Sequence, residues 1–262
     1  MNVSNNRKIS SKIPAGIFTA AIIFPLGWLT IQSLAKNWRF PALVPPEMNF
    51  RAWNYLFDWS AGVFPALINS LAIAAVVTCT AIISAFPAAR AIALHDFKGK
   101  NFFLFVLLLP ILSPAIATAM GGHAFFLRLG LTDSYLGVIL THLIPTVPYC
   151  VLTLTGSFSR FDTNLELQAQ TLGANSWQVF RFVTLPAMLP GIITSAVFAF
   201  LISWSQYLTT LLVGGGRIIT LPLILIGFQR SSDETVTAAL TLIFIAPTLV
   251  FLALTARLRR EV

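Results

Sequence analysis

Few residues of this 262-residue chain are of the types that carry out catalysis or bind metal ions. Its three histidines, His95, His123 and His142, are isolated from one another, and no H-E-x-x-H pattern occurs. Its two cysteines, Cys79 and Cys150, lie inside apolar runs without disulfide or metal-ligand spacing. A phosphate-binding G-x-x-x-x-G-K-[ST] loop is also lacking. The sequence therefore predicts no catalytic residue, no metal site and no bound cofactor in this chain.

The densest group of polar residues lies at 160–186, RFDTNLELQAQTLGANSWQVFRFVTLP. Thr163 and Glu166 have the spacing of a capping box, so we expect a helix to begin there. Apolar residues then recur at helical spacing and form one stripe: Leu165, Ala169 and Leu172. The opposite face is polar and carries Glu166, Gln168 and Gln170. Gly173 is expected to end this helix because glycine readily takes positive φ.

A second short helix is predicted directly after that glycine. Asn175 and Gln178 can cap its start, and we expect it to end near Pro186. Helices that lie on a lipid surface usually carry Lys and Arg on their polar face. The first helix carries Glu and Gln instead, which favours a protein partner over the bilayer surface.

Neutral polar residues lie at the end of the fifth apolar stretch of the chain: Ser203, Ser205, Gln206 and Tyr207. Such hydrogen-bonding groups at the end of a span can line the path of a polar solute. Trp and Tyr are also common at membrane interfaces, so an interfacial role stays open. We interpret His142, inside an apolar stretch, as a partner in a helix–helix hydrogen bond.

The elements that carry these residues are apolar helices. The chain is 56% hydrophobic and 10% charged, with a mean hydropathy of +0.81, whereas soluble domains carry about 25% charged residues. Six stretches are long enough to span a bilayer and are free of charge in their interiors. They are residues 13–34, 61–89, 102–122, 135–157, 183–203 and 235–255. The apolar stretch 208–228 is broken by Gly214–Arg217 and Pro222, and we expect a re-entrant or extracytoplasmic loop there.

The basic residues predict the orientation of these spans. With both termini in the cytoplasm, eleven basic residues fall on the inner side: Arg7, Lys8, Lys12, Arg90, Lys98, Lys100, Arg160, Arg181, Arg257, Arg259 and Arg260. Six fall on the outer side: Lys36, Arg39, Arg51, Arg128, Arg217 and Arg230. This bias follows the positive-inside rule. The first stretch is longer than a signal-peptide core, so we expect it to be retained as a span.

Residues 160–186 resemble the EAA loop of permease subunits of binding-protein-dependent ABC importers, and we call them the EAA-like loop. The family pattern is E-E-A-A-x-x-L-G-A followed by an apolar residue, Leu and Pro. This chain has Glu166-Leu167-Gln168-Ala169, then Leu172-Gly173-Ala174, then Leu185-Pro186. Leu167 and Gln168 depart from the pattern. The resemblance runs from about residue 69 to the end of the sixth span and is greatest to the spermidine/putrescine-type branch.

The resemblance implies an all-α membrane domain of the type I ABC importer fold, with six spans and both termini cytoplasmic. The first helix of the loop would be the coupling helix, seated in a groove of an ATPase subunit. Its coupling residues would be Thr163, Leu165, Glu166, Gln168, Ala169, Leu172, Gly173 and Ala174. Glu166 could then pair with a basic residue of that ATPase.

The implied partners are two copies of the ATPase, which bind ATP and Mg²⁺, and a second permease that is a different chain. A periplasmic solute-binding protein would deliver a small polar solute at the inner membrane of a bacterium, and no nucleic acid is involved. Some polyamine permeases have acidic residues after span five, where this chain has Ser205 and Gln206. Arg217 and Arg230 would suit an anionic solute. The alternative functions are a passive channel and a membrane scaffold, although no selectivity sequence or charged ring is present.

Overall fold

The structure is a computed structural model that describes residues 20–261 except 22, 37, 39–41, 43 and 232. The described part is almost entirely helical, which confirms the predicted all-α class. The described residues form twelve α-helices: α1 Ile23–Leu34, α2 Arg51–Phe57, α3 Val63–Leu94, α4 Lys100–Leu112, α5 Ala115–Arg128, α6 Tyr135–Phe158, α7 Asn164–Thr171, α8 Ser176–Val179, α9 Leu185–Trp204, α10 Leu208–Val213, α11 Leu221–Arg230 and α12 Glu234–Glu261. A 3₁₀ turn covers Trp59–Ala61, and a π turn, Phe180–Thr184, joins α8 to α9.

The chain divides into two compact units, and the first comprises residues up to 65 together with 224–247. Strand β1, Ala35–Lys36, pairs with β2, Glu47–Met48, in antiparallel register. The Thr235 hydroxyl donates to the Ala35 carbonyl at 3.0 Å. Arg51 contacts both carboxylate oxygens of Asp233 at 3.0 Å. These bonds fix the start of α12 within this unit.

The second unit comprises residues 66–223 and 248–262, and it contains the larger apolar core. Small residues let α3 approach its neighbours closely, and they recur on one face of the helix as Ala74, Ala81, Ala85 and Ala89. Leu154 and Phe158 of α6 and Met188 of α9 complete this core. A Cβ added at Gly191 would overlap the Ser157 side chain, so α6 and α9 pack at close range.

The third predicted span, 102–122, is not a single straight helix. Helices α4 and α5 meet at a bend of 104°. Ser113 is extended there, with φ −78° and ψ 142°, and Pro114 follows it. Proline lacks an N–H and drives the preceding residue away from helical angles, so the helix breaks at this dipeptide.

Within the described ranges, four helical runs have the length and apolar composition of membrane spans: Val63–Leu94, Tyr135–Phe158, Ser176–Trp204 and Glu234–Thr255. The bent pair of α4 and α5 makes a fifth if it is counted as one span. Part of the first predicted span, 13–34, lies outside the described residues, and its described part includes α1. Residues 208–228 form α10 and most of α11, with a turn between them.

Candidate functional site

Helix α7 begins with a different cap from the one predicted. The N–H of Asn164 donates to Asp162 Oδ1 at 3.0 Å, whereas Thr163 makes no side-chain capping bond. The predicted capping box of Thr163 and Glu166 is therefore wrong. Its failure has a physical reason, because the Glu166 carboxylate binds Arg90 and not the backbone N–H at the helix start.

The end of α7 follows the prediction. Gly173 has φ +89° and follows Leu172, the C-cap residue of the helix. Its N–H donates to the Gln170 carbonyl at 2.9 Å, and the N–H of Ala174 donates to the Ala169 carbonyl at 3.1 Å. This pair of bonds is the Schellman motif, which satisfies the last carbonyls of a helix. The predicted role of Gly173 as the helix terminator is confirmed.

Helix α8 has the predicted start but continues beyond the predicted end. Asn175 and Gln178 bond to each other's backbone N–H at 2.8 and 2.9 Å, so the capping box is confirmed. The chain then runs through the π turn into α9 without leaving the helix. Pro186 does not end the helix, because the wide turn before it leaves room for a residue without an N–H. The EAA-like loop is therefore continuous with the following span.

The Glu166 carboxylate is the centre of a network that joins three elements. Arg90 of α3 contacts it with both nitrogens, at 2.7 Å to Oε1 and 2.6 Å to Oε2. The Thr184 hydroxyl, at the end of the π turn, donates to Oε1 at 2.5 Å. Glu166 is 8% exposed, although it lies in a polar loop. The Arg90 hydrogen bonds, helped by the Thr184 hydroxyl, lower the pKa of Glu166 against the opposing effect of burial. The expectation that Glu166 pairs with the ATPase is corrected, since Arg90 of the same chain holds it.

Arg90 is the residue that sequence reasoning missed. Its guanidinium lies 6.0 Å from the centroid of the buried Phe158 ring, within the range of a cation–π contact. In the sequence analysis Arg90 is only one of the basic residues that predict the orientation of the spans. It is separated from Glu166 by 76 residues, so no short-range pattern indicates that the two side chains pair. A cavity of about 300 Å³ lies beside the pair and is lined by Phe86, Gln170, Ser176, Val179 and Phe180 as well.

Large apolar side chains of the EAA-like loop remain exposed. Of the predicted stripe, Leu165 is 43% exposed, Leu172 is 89% exposed and Ala169 is half-buried. Three further large side chains are exposed at 56–69%: Leu167, Trp177 and Phe182. The loop thus buries the Glu166 carboxylate and presents its leucines outward, which is the reverse of an ordinary surface helix. Gln168 is exposed, and Ala174 is half-buried.

The predicted path residues lie at the other end of α9 and have different surroundings. Ser203 is buried and faces His142, whereas Ser205 is exposed and Gln206 and Tyr207 are half-buried. Ser203 and Gln206 line a cavity of about 10 Å³ together with His142. A space of that size holds no more than one water. The structure therefore brings Ser203 and Gln206 together without an open passage between them.

The buried His142 joins α6 to two other helices. Its Nδ1 lies 3.0 Å from Ser203 Oγ, and its Nε2 lies 2.9 Å from Thr210 Oγ1. The Thr210 hydroxyl donates its own proton to the Gln206 carbonyl at 3.0 Å. Since that hydroxyl can then only accept from the ring, Nε2 carries a proton. In the neutral imidazole Nδ1 therefore accepts from the Ser203 hydroxyl. The interpretation of His142 as a helix–helix hydrogen-bonding residue is confirmed.

Metal-ligating groups are dispersed through the described ranges. No cluster of three or more His, Cys, Asp or Glu side chains with the geometry to hold an ion occurs in them. The structure combines apolar helices of spanning length with buried polar networks between helices. These features define the class as a polytopic α-helical membrane protein.

Comparison with known proteins places the chain within that class. Residues 81–262 match the family described as the binding-protein-dependent transport system inner membrane component. The trehalose transport system permease protein SugB of Mycobacterium tuberculosis is 30% identical over 215 residues, covering 80% of this chain and 78% of SugB. The chain belongs to the family of binding-protein-dependent transport system inner membrane components. It is thus the permease component of an ABC importer and not its ATPase.

The spermidine/putrescine branch is one of several to which this chain is similar. The spermidine/putrescine permease protein PotC of Haemophilus influenzae is 26% identical over 213 residues, covering 80% of this chain and 82% of PotC. A solved structure of a bacterial ABC transporter involved in import of the acidic polysaccharide alginate matches the fold. Its TM-score is 0.73, with 19% identity and 98% coverage of both chains.

Proposed function

We propose that this permease couples ATP hydrolysis to solute movement through the outward-facing leucines of its EAA-like loop. In this proposal α7 seats in a groove of an ATPase subunit, and Leu165, Leu172 and Trp177 are the anchors. The single observation that carries it is the exposure of Leu172, 89%, at the tip of a helix whose only charged residue is turned inward. A helix of this kind fits a groove by its apolar face.

The remaining parts of the assembly follow from the family and from the charge pattern. The permease has six spans with both termini in the cytoplasm, two ATPase copies that bind ATP and Mg²⁺, and a second, different permease chain. A periplasmic binding protein delivers the solute to the inner membrane. Alternating access then moves the solute between the two permeases, as each nucleotide state favours one set of contacts.

The solute in this proposal is small and polar, and it is not a polycation. The residues at the end of α9 that we assign to its path, Ser203, Ser205, Gln206 and Tyr207, are neutral. No acidic residue occurs in the sequence between Glu166 and Asp233. Neutral hydroxyl and amide groups bind solutes through hydrogen bonds without selecting a positive charge. SugB is named as a trehalose transport system permease protein, and the similarity to it supports an uncharged polyhydroxyl compound as the first solute to test.

Reconstitution of the complete importer tests the proposal. The permease, its ATPase, the second permease and the binding protein are placed in liposomes, and ATP hydrolysis is measured with and without solute. Gly173→Pro removes the N–H that bonds Gln170 and forbids φ +89°, so it should abolish the stimulation by solute. Leu172→Glu should weaken co-purification of the ATPase, because it places a charge in the groove contact.

Leu129→Glu is the matched control, since Leu129 is an exposed leucine in the segment after α5. It should leave co-purification of the ATPase unchanged. Stimulation that survives Gly173→Pro would overturn the assignment of the coupling loop. Solute flux through the permease without ATP would instead support a passive channel.

A further inference from the structure

One carboxylate provides the inward attachment of α7. Glu166 is the buried residue of that helix, and the other residues between 164 and 171 are exposed or half-buried. The helix has eight residues and is followed by the glycine terminator. A helix this short is only marginally stable by itself, so its backbone connections alone position it weakly relative to the spans. Glu166 is therefore the one buried side chain of α7 through which a force applied to its leucines can reach the spans, in addition to the two chain ends.

The geometry of the Glu166 contacts suits the transfer of such a force. Arg90 makes two parallel charge-assisted bonds to the carboxylate, which fix its orientation as well as its distance. Arg90 is the fifth residue from the C-terminal end of α3, and its guanidinium also lies over the Phe158 ring of α6. The Thr184 hydroxyl ties the same carboxylate to the residue that precedes α9. Three long helices thus meet at the inward side of a short one.

We propose that Arg90 is a positioning residue for energy coupling, which fixes α7 through Glu166 so that movement of α7 is passed directly to α3. This inference rests on the proposed function of the EAA-like loop. Movement of α7 can already reach the spans along the backbone through α8 and α9, and the Arg90–Glu166 pair provides a second route for it. Without the guanidinium, α7 can shift or tilt while α3 stays in place. ATP hydrolysis would then continue with poor response to solute.

The test uses the complete importer in liposomes and the ratio of solute-stimulated to basal ATP hydrolysis. Arg90→Gln should lower this ratio roughly tenfold, within the range of coupling between linked sites. The amount of ATPase that co-purifies should stay unchanged, because the leucines of the docking surface remain in place. Arg90→Lys keeps the charge but not the two parallel bonds, and it should retain an intermediate ratio. Should Arg90→Gln fail to assemble, the ratio of Arg90→Lys decides in its place.

A double-mutant cycle separates this role from a direct contact of Arg90 with the ATPase. If Arg90 acts through Glu166, Arg90→Gln combined with Glu166→Gln should be no worse than the more severe single variant. Additive losses would overturn the inference, and so would a normal ratio in Arg90→Gln. Lys100→Gln is the control, since it breaks the pair with the exposed Asp96 and should leave the ratio unchanged. An importer whose wild-type form shows no stimulation would contradict the proposed function itself.

Discussion

The two ends of α9 carry polar networks of opposite character. At the start, Thr184 joins an ion pair between Arg90 and Glu166, with 35% of the Arg90 side chain exposed. At the far end, about 28 Å away by helical rise, Ser203 joins the neutral and fully buried His142. An ion pair beside an open cavity can exchange partners with water or protein, whereas a sealed neutral network has no such alternative. The first network therefore suits a movable loop, and the second suits a fixed joint between spans.

The largest expected effect comes from the sealed network. His142→Ala removes a fully buried ring and leaves two hydroxyls, those of Ser203 and Thr210, without their partner. We expect a loss of about 3 kcal/mol in the free energy of unfolding, from the cavity and the two lost hydrogen bonds. Denaturant titration of the purified importer in detergent measures it.

The exposed His95 provides the control for that change, and His95→Ala should leave the free energy of unfolding unaltered. His142→Gln should recover part of the loss, because an amide can replace one of the two bonds. An equal stability for His142→Ala and His95→Ala would show that the neutral network is not a fixed joint.

The ionic network should be less costly to break because it is partly hydrated. Glu166→Ala leaves the Arg90 charge without its partner, which costs 3–5 kcal/mol in a fully buried site but about 2 kcal/mol here, where water still reaches the guanidinium. Thermal and denaturant unfolding of the importer in detergent measure the loss. Asp96→Asn, which breaks the exposed pair with Lys100, should cause no detectable change. A cost for Glu166→Ala above that of His142→Ala would reverse the comparison.

Acid should distinguish the two networks further. The Arg90 contact lowers the pKa of Glu166 from the ordinary value of 4.5, so its ionised form stabilises the fold at neutral pH. This stabilisation is present above the ordinary value and is lost as the pH falls through the lowered pKa. The stability difference between wild type and Glu166→Gln should therefore shrink as the pH falls below about 4.5.

Thr78→Val is the control for the acid titration. It removes a buried hydroxyl that donates to the Ala74 backbone carbonyl and removes no ionisable group, so its stability deficit should stay constant over the same pH range. A deficit of Glu166→Gln that also stays constant would mean that the ion pair contributes nothing beyond its hydrogen-bonding geometry. The unfolding midpoints at each pH, measured on the same preparation, decide between these results.

Local signals explain what the sequence could predict at this site. Gly173 and the pair of Asn175 and Gln178 act on neighbouring backbone groups, so their roles follow from spacing alone. The overall all-α class follows from hydropathy in the same way. The break at Ser113 and Pro114 also had a local signal, but the length of the apolar stretch outweighed it in the prediction.

Packing explains what the sequence could not predict. The partner of Glu166 is 76 residues away in α3, and the choice between Arg90 and an ATPase residue depends on how α3, α7 and α9 meet. The helical spacing that assigned Glu166 to an outer polar face was sound for an isolated helix. The ion pair turns Glu166 inward, whereas Gln168 and Gln170 of the same predicted face stay exposed, as do the leucines.

The smallest expected effect tests whether the backbone or the ion pair sets the orientation of α7. Gly173→Ala meets no atom within 4 Å, so its cost is that of positive φ alone, about 1 kcal/mol. Gly156→Ala in α6 also meets no atom, but its backbone is helical, and it should stabilise by about 0.5–1 kcal/mol. If the ion pair dominates, Gly173→Ala should retain solute-stimulated ATP hydrolysis while Arg90→Gln loses it. A loss of stimulation in Gly173→Ala as large as that in Arg90→Gln would assign the orientation of α7 to its glycine terminus instead.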